Sequence, residues 1–192
     1  PELASLARQK RLEFRAARDQ RSTATLQAAR EILNHDGYDP QALWWATLSQ
    51  YDPRHPLAIP RDLLTWRASF LDNLSRPVAK PAASPAAKTT GDDLTRRTYL
   101  QALLALADQN WAEAADAFEH YRHQAPAGEP VDLAQGLALL KAGRPDAATQ
   151  YLRQHGDAHK NDADALAYLA EAYLAIPNYP WAAHVIHGLR VM

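Results

Sequence analysis

The 192-residue chain carries 21 Lys and Arg against 22 Asp and Glu, so its formal net charge at pH 7 is −1. This balance excludes the strongly basic surface typical of nucleic-acid binding, and the lack of cysteine excludes disulfides, thiolate catalysis and cysteine-ligated metals. The chain holds 39 Ala and 26 Leu but only four Ile and four Val, a composition that favours helices over strands. We therefore predict an all-α protein.

Residues 1–75 predict an N-terminal helical domain. Apolar residues recur with helical spacing in three segments that prolines separate, namely residues 3–34, 41–51 and 61–74. Ala28, Ile32 and Pro40 have the spacing of the second helix of a helical repeat with its closing proline. A degenerate repeat is therefore one interpretation of this domain, and three helices packed around their tryptophans are the other.

The first segment begins with a long basic helix. Its first half, SLARQKRLEFRAARDQR, has only a thin apolar stripe, and an isolated helix of this kind is marginally stable. One interpretation places it beside a lost N-terminal membrane anchor, at the cytoplasmic face of an inner membrane where anionic lipids attract Lys and Arg. The other is a solvated helix of the fold. We expect a soluble domain, and its localisation stays open.

Residues 76–92 predict a flexible linker. The stretch RPVAKPAASPAAKTTGD is rich in Pro and Ala and has almost no large apolar side chain to bury. We expect Asp92 and Asp93 at its end to cap the helix that continues from Leu94, and Asp162 and Asp164 to cap a later helix in the same way.

The chain after the linker repeats itself every 34 residues. Trp111, Pro145 and Tyr179 are separated by this interval. The same interval relates the small residues Ala114, Ala148 and Ala182, the bulky residues Phe118, Leu152 and Ile186, and, in the preceding segments, Ala102, Gly136 and Ala170. Small residues let the two helices of a hairpin approach closely, and bulky residues fill the space between hairpins. The pattern indicates stacked helix–turn–helix units.

Residues 94–192 resemble the tetratricopeptide repeat (TPR) family, so we predict three TPR-like repeats over residues 93–192. In the third unit, four residues stand where the family's first helix has Trp, Leu, Gly and Tyr: they are Leu166, Leu169, Ala170 and Tyr173. In the first unit, Thr98 and Gln101 depart from the family pattern. The resemblance is specific for a fold, an α-solenoid, and not for a function.

The resemblance implies a groove lined by the first helix of each unit. Its 34-residue register places Tyr99, Leu133 and Ala167 in line, with two further rows one and two turns along. The predicted partner-binding residues are Tyr99, Leu103, Leu106, Leu133, Leu137, Leu140, Lys141, Tyr168 and Glu171. Because this set is mostly apolar, the expected ligand is an amphipathic helix or an apolar segment of a partner protein. The alternative is a groove filled from within by the first helix of the same chain.

The sequence offers no catalytic constellation. It lacks a phosphate loop and a nucleophile elbow, so we expect no enzyme and no cofactor. Three histidine pairs have helical spacing, namely His120 with His123, His155 with His159, and His184 with His187, but spacing alone does not supply a third metal ligand. We expect no metal site and no nucleic-acid ligand.

These observations predict a scaffold or adaptor for protein–protein interaction, as a bacterial TPR protein would be. The short, Ala- and Leu-rich repeats resemble those of bacterial proteins, which suggests an envelope, secretion or exopolysaccharide assembly. The alternative is a regulatory or tethering domain of a membrane-anchored enzyme complex. The last helix carries Trp181, Val185, Ile186 and Leu189 with no polar capping helix after it. Self-association through that end is therefore a further prediction.

Overall fold

The computed structural model describes residues 2–19, 21–75, 90–125, 130–159 and 162–191, and all regular secondary structure in these ranges is helical. The helices are α1 Glu2–Arg18, α2 Thr23–His35, α3 Pro40–Leu48, α4 Arg61–Thr65, α5 Arg67–Ser75, α6 Thr90–Ala107, α7 Trp111–Gln124, α8 Asp132–Lys141, α9 Pro145–Ala158, α10 Ala163–Ala175 and α11 Tyr179–Val191. The prediction of an all-α protein is confirmed. None of these helices is both long and apolar enough to cross a membrane.

The chain divides into two compact units. The first unit comprises Pro1–Tyr51 and Ala58–Arg96, and in it α1 packs on α2, α2 on α3, and α3 on α4. Its buried side chains include Leu12, Ala28, Ala29, Ile32, Leu33, Leu43, Leu48, Leu63 and Phe70. Arg8 of α1 pairs with Asp36 at the end of α2, and Arg30 of α2 pairs with Asp62 of α4 at 2.8 Å. The Arg8 pair thus joins α1 to the end of the helix that it packs on, and the Arg30 pair links α2 to α4.

Two of the predicted helical segments are divided. The segment predicted over residues 3–34 breaks between α1 and α2, where the Ser22 hydroxyl accepts a hydrogen bond from the Thr25 N–H at 3.1 Å and caps the new helix. The segment predicted over residues 61–74 breaks at Trp66, between α4 and α5. A local cap thus begins a new helix where the apolar pattern predicted a continuous one.

The second unit comprises Asp52–Leu57 and Arg97–Met192. In it α8 packs against α7 and α9, and α10 packs against α9 and α11. The second helix of each successive pair begins at Trp111, Pro145 and Tyr179. These are the three residues that the sequence period singles out, so the period marks real helix starts.

Close helix packing explains the small residues of the period. A Cβ atom added to Gly136 in α8 would lie 2.7 Å from Cγ of Leu152 in α9, closer than van der Waals contact allows. Ala114, Ala148 and Ala182 in the second helices are all buried. Because Gly136 has no side chain, α8 and α9 can pack closely at this position.

The start of α6 differs from the expected one. Residues 76–89 of the predicted linker lie outside the described residues. The last three positions of that predicted linker, residues 90–92, are the first turn of α6. Asp92 and Asp93 are thus inside the helix, and the prediction that they cap it is wrong. The prediction for Asp162 is confirmed, because its carboxylate accepts a hydrogen bond from the Ala165 N–H at 3.0 Å at the start of α10.

Candidate partner-binding surface

The apolar members of the predicted groove are buried. Each has an exposed fraction of 7% or less, and all of them lie in α6 and α8: Tyr99, Leu103, Leu106, Leu133, Leu137 and Leu140. Atoms of this chain bury these side chains, so they are not accessible to a partner.

Tyr99 belongs to an aromatic cluster. Its ring lies 4.9 Å from that of Tyr121 and 6.5 Å from that of Phe118, measured between ring centroids. The contact with Phe118 is edge-to-face, a favoured arrangement of aromatic rings in protein cores. Since Tyr99 is fully buried, it fixes α6 against α7.

The remaining three predicted residues lie together nearer the surface. Lys141 ends α8, and its Nζ atom donates to the Glu171 carboxylate of α10 at 2.6 Å. Tyr168 is half-buried one turn before Glu171. Burial raises the pKa of the Tyr168 hydroxyl, as do the negative charges of Asp164 and Glu171, while the Lys141 charge opposes the rise. The three groups are therefore close enough to influence one another.

Leu174 completes this region, although it is not among the nine predicted residues. It occupies the same register position as Leu106 and Leu140, and it lies three residues after Glu171 on α10. Its exposed fraction is 49%, whereas Leu106 and Leu140 are buried. We call Lys141, Tyr168, Glu171 and Leu174 the open face. The sequence register contained the signal for Leu174, but only the structure distinguishes it from its buried equivalents.

The pair His155 and His159 lies where α9 is hydrogen-bonded to the start of α10. Nε2 of His155 donates to Oδ2 of Asp162 at 2.9 Å, and the His159 ring stacks on the His155 ring at 4.4 Å. His155 is only 5% exposed. Within the described residues, no three potential ligand side chains are grouped to hold a metal ion. His155 thus acts as a buried hydrogen-bond donor across the turn.

Hydrogen bonds lower the pKa of the Asp162 carboxyl. Burial by itself would raise that pKa, but hydrogen bonds from the backbone N–H groups of Ala165 and Asp164 and from His155 outweigh burial and hold the pKa below its ordinary value of 3.8. A depressed pKa means that the carboxylate stabilises the folded state above pH 3.8 and that this stabilisation is lost as the pH falls through the lowered value.

We expect Asp162→Asn to lower the free energy of unfolding by about 1–2 kcal/mol at pH 7, because the bond from His155 then ends on a neutral acceptor. Urea denaturation at a series of pH values measures the difference from wild type. The difference should persist as long as the pH stays above 3.8, and it should shrink as the pH falls from there through the lowered pKa of the wild-type carboxyl. Asp157→Asn, at an exposed site on α9, is the matched control and should change little. A difference that stayed constant down to pH 2 would contradict the assigned charge.

The final helix exposes part of its aromatic side chains. Trp181 is 51% exposed, and its ring centroid lies 6.2 Å from that of Tyr173 and 6.0 Å from the guanidinium of Arg153. Val185 is buried, while Ile186 and Leu189 are half-buried. Self-association through this end stays a prediction.

Comparisons of the chain with protein-family models, with curated proteins and with solved structures gave no match.

Proposed function

We propose that the second unit is a TPR-like scaffold that holds a segment of another protein. The observation that carries this proposal is the coincidence of the 34-residue sequence period with the starts of α7, α9 and α11. The buried small residues of the period, Gly136 among them, support it further. Arrays of this kind are built to present side chains of successive hairpins to a partner.

The open face is the part of the predicted groove that a partner can reach. Leu174 offers an apolar contact of the kind that an amphipathic helix or an apolar segment would bury. Beside it, the exposed ion pair of Lys141 with Glu171 can be exchanged for pairing with a partner at small cost, because such pairs contribute at most about 1 kcal/mol. We propose that a partner segment docks here, with its apolar side on Leu174 and its charges toward Lys141 and Glu171.

The six apolar groove residues are buried, and Tyr99 packs on the rings of Phe118 and Tyr121 in α7, so these side chains are part of the packing between helices. Docking on them would require that packing to change. The open face needs no such change, so it is the first surface to test. The Ala- and Leu-rich composition of the repeats is the ground for proposing a role in a bacterial envelope, secretion or exopolysaccharide assembly. It is equally the ground for proposing a tether of a membrane-anchored enzyme.

The experiment compares two leucine substitutions of similar exposure. Leu174→Asp places a charge on the open face, and Leu64→Asp places one on the first unit, where Leu64 is 44% exposed. Wild type and both variants are immobilised and used to capture proteins from a detergent extract of source cells. We expect one set of proteins to bind wild type and Leu64→Asp, and to be reduced at least tenfold with Leu174→Asp, which corresponds to about 1.4 kcal/mol.

Circular dichroism of each variant first establishes that it has the wild-type helix content, so that lost capture is not lost folding. Equal capture by all three proteins would contradict docking on the open face. Lys141→Glu with Glu171→Lys provides a second comparison, since the swap keeps the ion pair within the chain and reverses the charges shown to a partner. Retained capture by the swap would mean that the charges do not orient the segment.

A further inference from the structure

The first unit contains a cleft that is lined by polar side chains. It has a volume of about 370 Å³ and is lined by Tyr38, Ser69, Asp72 and Asn73. All four lining residues bear a side-chain oxygen, and one of them carries a negative charge at neutral pH. In the part of the chain that the structure describes, no basic side chain lines it. The cleft is therefore suited to a ligand that is cationic and donates hydrogen bonds.

The sequence builds this lining from two elements. Ser69, Asp72 and Asn73 are spaced i, i+3 and i+4 along α5, so they share one face of that helix. Phe70, on another face, is buried in the core and anchors α5. Because Phe70 packs in the core, the face of α5 that carries Ser69, Asp72 and Asn73 points away from the core.

Tyr38 forms the other wall. It follows Gly37, whose φ of +85° is a backbone conformation that glycine adopts without strain, in the turn between α2 and α3. The Tyr38 ring is backed by the ring of Trp66, with 6.4 Å between their centroids. Tyr38 and Asp72 also take part in other interactions of the chain. A carboxylate has about four acceptor positions, so such an interaction still leaves room for an additional donor.

We propose that this cleft binds the guanidinium group of an arginine from a partner protein. A guanidinium is planar and presents five N–H donors, so it can lie against an aromatic ring while it donates to acceptors on one helix face. A lysine ammonium is compact and more strongly hydrated, and it covers a row of acceptors that spans one helical turn less well. The site is independent of the open face, which belongs to the other unit.

The test uses N-acetylarginine N-methylamide as the probe and the full chain as the receptor. Binding is followed in proton–nitrogen spectra through the Asn73 side-chain amide and the Trp66 indole N–H. We expect saturable shifts with a dissociation constant in the millimolar range, as is usual for so small a ligand. The corresponding lysine derivative should bind more weakly, and so should the neutral citrulline derivative, by about fivefold, because it lacks the charge that pairs with Asp72.

Variants locate the site. Asp72→Asn should weaken binding about fivefold, the effect of losing one partly exposed charge pair, whereas Asp157→Asn on the other unit should leave it unchanged. Ser69→Ala tests the helix face without a change in charge and should also weaken binding. Equal shifts with citrulline, an unchanged affinity in Asp72→Asn, or no saturable shift at about 20 mM probe would each overturn the proposal.

Discussion

Leu137→Asp should unfold a large part of the second unit. Leu137 is 1% exposed in α8, a helix in which every residue from Leu133 to Leu140 is buried. The substitution removes the apolar contacts of the leucine and places a carboxylate where no water can solvate it. We expect the free energy of unfolding to fall by about 4 kcal/mol or more, a large share of the total stability of a small domain.

Urea denaturation followed by circular dichroism at 222 nm measures this loss. Leu174→Asp is the matched control, because it makes the same chemical change on α10 at a side chain that is 49% exposed, and it should cost less than about 1 kcal/mol. If Leu137→Asp kept the helix content and stability of wild type, the side chain would reach solvent. In that case the predicted groove would open in solution, and docking on its leucines would become the better interpretation.

The contrast between these two leucines marks a limit of sequence reasoning. Leu106, Leu140 and Leu174 occupy one register position, and the period assigns them the same role. The first two are buried and the third is half-exposed. A repeat pattern describes what each unit contributes, whereas exposure depends on which other parts of the chain reach that unit. The sequence therefore predicted the all-α class, and its period contains the residues at which α7, α9 and α11 begin, but it did not predict which groove residues are accessible.

Hydrogen bonds at helix ends show the same limit between residues that are close in sequence. The cap at Asp162 was predictable, because Asp before an apolar helical segment is a local signal. Its second partner, His155, lies seven residues earlier across a turn, and no spacing rule connects the two. The break between α1 and α2 was missed for the opposite reason, because the apolar pattern hid a local cap at Ser22. A helix cap is determined by a few neighbouring residues, whereas a contact across a turn depends on tertiary packing.

Gly136→Val should be strongly destabilising, although valine has a higher helix propensity than glycine by a few tenths of a kcal/mol. Even the first atom of a side chain would lie 2.7 Å from Cγ, 2.8 Å from Cδ2 and 3.3 Å from the backbone nitrogen of Leu152. Leu152 is fully buried, so it cannot move into solvent to make room. Overpacking of this kind costs about 1–3 kcal/mol, and the branched valine side chain should reach the upper end of that range.

Gly156→Val is the control for this prediction. Gly156 lies in α9, the helix that Gly136 faces, and a Cβ atom there would meet no atom within 4 Å. The control should therefore be neutral or slightly stabilising in urea denaturation. The double variant Gly136→Val with Leu152→Ala should be more stable than the sum of the two single losses predicts, because the valine then occupies space that the leucine vacates. Additive losses, or a Gly136→Val variant as stable as the control, would mean that α8 and α9 do not touch at Gly136. The small residues of the 34-residue period would then need an explanation other than close helix packing.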